Sequence, residues 1–102
     1  MSNDAQDTAL VALNRYNFLT RELTGKYVER GDLVSTGGSA KVQAYQQALS
    51  EGANVTTARH AADLAAEHYD KEIAKLSGEI DSMLIELRYL DQLLAYVNGV
   101  PR

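Results

Sequence analysis

The sequence has no cysteine and no tryptophan, a single phenylalanine (Phe18) and a single proline (Pro101). Without cysteine there is no disulfide framework, no thiolate nucleophile and no zinc–thiolate centre, and the chain is compatible with any redox compartment. One proline near the end and few β-branched runs favour an all-helical chain over a sheet. No apolar run approaches the roughly 20 residues of a membrane span. The opening Met-Ser-Asn-Asp-Ala-Gln-Asp lacks the basic-then-apolar order of a signal peptide, so a cytoplasmic location is expected. An excess of positive charge is also missing: ten Lys and Arg stand against fourteen Asp and Glu, a net charge of −4. The second half is the more acidic, with eight carboxylates against five cations. Such a surface works against a phosphate backbone, and nucleic acid is a disfavoured partner.

What the sequence does have is a long apolar repeat. From about Thr57, steps of four and three connect Ala62, Ala66, Tyr69, Ile73, Leu76, Ile80, Met83, Leu87, Leu90, Leu94 and Val97. This 3.5-residue repeat predicts one long helix over 56–97 whose seam is buried against other helices. Placing Ile73, Ile80, Leu87 and Leu94 at position a puts Leu76, Met83, Leu90 and Val97 at d. In a parallel homodimer the flanking pairs would be Ala65–Asp70, Glu72–Ser77, Glu79–Leu84 and Glu86–Asp91. None of these attracts, and the last repels. Leu84, Ile85 and Leu93 widen the apolar surface beyond one seam, which favours a bundle.

The rest of the chain reads as two shorter helices. Residues 1–7 are expected to be a loose acidic lead-in, and 8–102 one helical domain. Leu10, Leu13, Tyr16, Leu19 or Thr20, Leu23 and Tyr27 mark a helix over 8–30, weakened by Gly25. Gly-Asp-Leu-Val-Ser-Thr-Gly-Gly-Ser at 31–39 reads as a break, with Gly31 ending one helix and Ser39 capping the next. A short helix over 40–50 then carries Val42, Tyr45 and Leu49. Gly52 is placed to stop it, and Asn54 or Thr56 to cap the long helix, making a helical hairpin. The fold class is therefore all-α: two shorter helices plus one long heptad-patterned C-terminal helix.

No constellation of side chains points to an enzyme. Gly37-Gly38 lacks the preceding strand and the lysine motif of a phosphate-binding loop, although Lys41 lies nearby. His68 and Glu72 are spaced to share an ion, with His60, Asp63 and Glu67 near. However, Glu67 and His68 are adjacent, diverge around the helix and sit off the seam, so solvated charges with i, i+4 pairing such as Glu67–Lys71 explain them. A DNA-reading helix would place several Arg, Lys, Asn or Gln in its first turns, whereas this one begins Thr56, Thr57, Ala58, Arg59, His60 and then turns acidic. No catalytic residue, cofactor or metal is expected. Arg15, Arg21 and Lys26 are the cations placed to match Glu72, Glu79 and Glu86 beside the long seam.

Residues 40–65, Ala-Lys-Val-Gln-Ala-Tyr through Ala-Ala-Asp-Leu-Ala, resemble small uncharacterised helical proteins of bacteriophages infecting actinobacteria. The shared features are a short Ala- and Tyr-containing helix, a Gly-x-Thr-Val turn and an Arg opening a long heptad helix. Asn54 stands where Thr is usual, and Arg59 lies one residue late. The resemblance covers about a quarter of the chain. It implies a phage accessory protein, acting in the host cytoplasm, with no established activity. The functional expectation is a non-enzymatic helical interaction or assembly factor. Its surface would be Ile73, Leu76, Ile80, Met83, Leu84, Leu87, Leu90, Leu94 and Val97, which three helices of unequal length would leave partly open. The partner would be a second copy meeting it antiparallel, or another helical protein. The alternative is a nucleic-acid-associated replication, recombination or regulatory factor using Arg15, Arg21, Lys26, Arg30 and Lys41.

Overall fold

In a computed structural model of the chain, which describes residues 2–97, two helices account for nearly everything: α1 (Ser2–Ser50) and α2 (Val55–Val97). There is no strand among the described residues. Met1 and residues 98–102, the ends of the expected lead-in and domain, lie outside the described residues. The chain divides into two compact units, and each helix contributes to both. One unit, Val28–Ser77, contains the turn; the other joins Met1–Tyr27 to Gly78–Arg102.

The turn follows from local chemistry. Gly52 takes φ +92°, a conformation that costs other residues a Cβ clash. There the Gly52 N–H donates to the Leu49 carbonyl (3.0 Å) and the Ala53 N–H to the Ala48 carbonyl (3.0 Å), satisfying the last carbonyls of α1. Asn54 then starts α2: its Oδ1 accepts the Thr57 N–H at 2.8 Å, and its carbonyl accepts the Ala58 N–H at 2.9 Å. Both the glycine stop and the Asn54 cap agree with the sequence reading, and α2 begins within a residue of its expected start.

The expected three helices are two. Residues 31–39 are helical throughout, and so are residues 2–7 of the expected lead-in. The reason lies in a second repeat that large hydrophobics do not reveal. Ala12, Tyr16, Leu19, Leu23, Lys26, Arg30, Leu33, Gly37, Ala40 and Ala44 recur in steps of four and three, and every one is buried or half-buried. Gly37 occupies a place in this seam. A Cβ built there would sit 2.9 Å from Tyr69 Cβ, so glycine lets the α1 backbone approach α2 where no larger residue fits. Each helix-interior glycine costs about 1 kcal/mol relative to alanine, and burial of the flanking seam residues overrides it. At the other end Asp4 lies in the first turn, where the helix dipole favours a carboxylate, and its carbonyl accepts the Thr8 hydroxyl at 2.8 Å.

The same seam corrects the inward face of the N-terminal segment. Leu10, Leu13 and Tyr27 are exposed (57%, 45% and 42%), whereas Leu19 is buried and Tyr16 and Leu23 are half-buried. Alanines and the apolar stems of Lys26 and Arg30 take inward places that the sequence reading gave to larger side chains.

Candidate interaction surfaces

The seam of α2 is filled from within the chain. Leu76, Ile80 and Leu90 are buried, and Ile73, Met83, Leu87, Leu94 and Val97 are half-buried; of the nine expected interaction residues only Leu84 is exposed. In the terminal unit Leu90 forms a cluster with Ala12 and Leu19, against which Tyr16, Met83, Leu87, Leu93 and Leu94 pack. This stripe is not left open as three helices of unequal length would leave it, because α1 is long enough to supply seam residues in both units.

Charges flanking the seam join the helices. Arg15 Nε donates to Glu86 Oε2 at 2.6 Å and its Nη2 to Oε1 at 3.0 Å, a two-pronged pairing that suits the planar guanidinium. This hydrogen bonding raises the Arg15 pKa above its ordinary value and holds the Glu86 carboxyl below the usual carboxylate range, desolvation opposing both. Lys26 Nζ donates to Glu79 Oε2 at 2.6 Å. In the turn-containing unit Arg30 donates to Ser77 Oγ at 3.2 Å, and Lys41 lies 3.4 Å from Asp63. Two of the expected electrostatic matches, through Arg15 and Lys26, are thus present; Arg21 is exposed on the outer face. The i, i+4 pair Glu67–Lys71 also forms, at 3.1 Å.

Off the seam, the terminal unit exposes large apolar side chains in an ordered way. On α1, Val11, Arg15 and Phe18 follow the four-three spacing of one helix face, and the Arg15 guanidinium lies 5.3 Å from the Phe18 ring centre. On α2, exposed Tyr89 and Tyr96 follow the same spacing together with half-buried Glu86 and Leu93. Val11 and Leu93 line one groove of about 400 Å³ whose floor includes Ala12 and Leu90, so the two stripes share a side of the helix pair. Val11 is 70% exposed, Tyr89 67% and Tyr96 85%. The sequence reading passed over these residues because the stronger seam repeat masks them. The signal available was the seven-residue spacing of Val11–Phe18 and of Tyr89–Tyr96.

The turn-containing unit has a groove of about 720 Å³ with Val42, Tyr45, Leu49 and Ala62 along it and Lys41 and Arg59 at its edges. Among the described residues no three His, Asp or Glu side chains gather as a metal-holding group. The His68 ring packs edge-on against Tyr69, 5.6 Å between centres. Gly37 and Gly38 lie within α1 and form no loop. No described helix is long and apolar enough to cross a membrane. Comparisons with protein-family models, with curated proteins and with solved structures give no match.

Proposed function

We propose that this chain is a helical interaction or assembly protein with no catalytic chemistry of its own, and that it acts by presenting side chains of its paired helices to another helical protein. The observation that carries this reading is the outer surface of the terminal unit. Val11, Ile85, Tyr89 and Tyr96 are each at least two-thirds exposed there, although the chain has filled its own seam with comparable residues. Scattered exposed apolar residues are ordinary, but stripes at helical spacing are the form that helix-to-helix recognition takes. The resemblance of residues 40–65 supports reading it as a bacteriophage accessory protein, with a host or phage protein in the cytoplasm, or a second copy, as partner. The nucleic-acid alternative is weaker, since Arg15, Lys26 and Lys41 each face a carboxylate.

Affinity capture from the native host tests this reading when run beside two variants. The wild-type chain and Lys71→Ala should recover the same helical protein, and a Tyr89→Glu, Ile85→Glu chain with unchanged helix content should lose it. Recovery of nucleic acid that falls away with salt, with no protein dependent on Tyr89 and Ile85, would sink the proposal.

A further inference from the structure

The surface of the terminal unit also carries what is needed to say which partner fits it. The buried core of the terminal unit is thin: among the described residues it consists of Ala12, Leu19, Ile80, Leu90 and Ala95. A single pair of helices has no second layer to cover its flanks, and a second pair supplies one.

We infer that the partner is a second copy of this chain, docked on the side of the terminal unit that bears Val11, Arg15 and Phe18 on α1 and Glu86, Tyr89 and Leu93 on α2. This rests on the helical-interaction reading above and commits it to self-association.

The charges select the arrangement. Arg15 and Glu86 lie at one level of the helix pair, held together by two hydrogen bonds. If two copies meet about a two-fold axis running along the helices, α1 of each lies over α2 of the other, and Arg15 of each faces Glu86 of its partner. A two-fold axis running across the helices at the level of this pair would instead set Arg15 against Arg15 and Glu86 against Glu86. The first arrangement attracts and the second repels, so the first is selected. It also makes every neighbouring pair of helices antiparallel, as in an up-and-down four-helix bundle.

Shape agrees with charge. Counting from the ion pair, Val11 is four residues before Arg15, and Tyr89 and Leu93 are three and seven residues after Glu86. At about 1.5 Å per residue on antiparallel helices, Val11 of one copy falls between Tyr89 and Leu93 of the other. Phe18, three residues after Arg15, falls at the level of Ser82 and Met83. Exposed Ser82 is small enough to leave the ring room. Thus each copy offers both the ridge and the recess, which an isologous contact requires.

The experiment is sedimentation equilibrium with directed cross-linking, made clean by the absence of native cysteine. The wild-type chain at micromolar concentration should run at twice its 11.2 kDa mass. Phe18→Glu should run at the single-chain mass with unchanged helix content, and Val11→Glu serves the same purpose if that variant does not fold. Arg15→Glu and Glu86→Arg should each be monomeric alone and form a mixed dimer when combined. Mixing Val11→Cys with Tyr89→Cys chains should give a disulfide-linked heterodimer in preference to either homotypic product. A wild-type chain at single mass, a dimer indifferent to Phe18→Glu, or preferential Val11→Cys self-linking would overturn the proposal. Monomeric wild type together with a Tyr89-dependent host protein in the capture experiment would overturn self-association alone. Absence of both would remove the interaction reading as well.

Discussion

The two units solve the same packing problem with different side chains. The terminal unit buries Leu19, Ile80 and Leu90, with Tyr16, Met83, Leu87 and Leu94 packed around the Ala12–Leu19–Leu90 cluster. The turn-containing unit buries Ala58, Ala62 and Ala66, brings Gly37 against Tyr69, and has Leu76 as its one large buried side chain. Apolar burial stabilises by roughly 25 cal/mol per Å², so large side chains concentrate stabilisation in the terminal unit. The small-residue seam depends instead on close approach, and that makes it intolerant of added atoms. Removing volume should therefore hurt one unit, and adding volume the other.

The sharpest break in this contrast is a truncation in the terminal unit. Leu90→Ala should cost about 2–5 kcal/mol, because it opens a cavity beside Leu19 and Ala12. Leu64→Ala, at a site 57% exposed in the other unit, should change stability by less than about 0.5 kcal/mol. Urea denaturation measures both, and comparable values would mean that the large-residue seam does not dominate.

Adjacent glycines test the second half of the contrast. Gly37→Ala pushes a methyl group to 2.9 Å from Tyr69 Cβ. Overpacking of about 1–3 kcal/mol should exceed the roughly 1 kcal/mol gained in helix propensity, leaving the variant less stable. Gly38→Ala meets nothing within 4 Å and should stabilise by about 0.5–1 kcal/mol. Opposite signs in thermal melting would confirm that only Gly37 is set by a tertiary contact; equal signs would remove the close approach.

The turn belongs to the small-residue unit but depends on backbone chemistry. Asn54→Ala removes the acceptor for the Thr57 N–H and should cost about 1 kcal/mol, read from the denaturation midpoint. Asn54→Asp should restore most of that loss.

The smallest effect is expected from the ion pair of the terminal unit. Glu86 has its pKa lowered in the fold, chiefly by hydrogen bonding to Arg15. Its contribution is therefore complete above the ordinary carboxylate pKa and is lost as pH falls through the lowered value. Both side chains are substantially exposed, so salt should weaken the contribution. Glu86→Gln should lower the melting temperature slightly at neutral pH and low salt. That difference should close at a pH below the folded carboxyl range and at high salt; a difference that persists at both would assign Glu86 a role beyond the pair.

How much of this was legible in the sequence depended on the size of the side chains that carry each contact. The α2 seam from Ala62 to Val97 was readable because its spacing is unbroken and its residues from Tyr69 onward are large, and every one is buried or half-buried. The stop at Gly52 and the cap at Asn54 were readable because their chemistry is local. The face of α1 was misassigned because Leu10, Leu13 and Tyr27 outweigh Ala12, Lys26 and Arg30 in any hydrophobic pattern. The surface stripes through Val11–Phe18 and Tyr89–Tyr96 were hidden for the opposite reason, since a stronger repeat on the same helix claims attention first.

By itself, then, the sequence determined that the chain is helical, that a turn falls at Gly52–Asn54 and which face of α2 turns inward, since each follows from residue chemistry and spacing along one segment. Only the tertiary structure decided that α1 continues through residues 31–39. A helix with Gly31, Gly37 and Gly38 is locally unfavourable. It becomes stable once Leu33, Ala40 and Ala44 bury surface in the seam and Tyr69 lies where only a glycine can meet it.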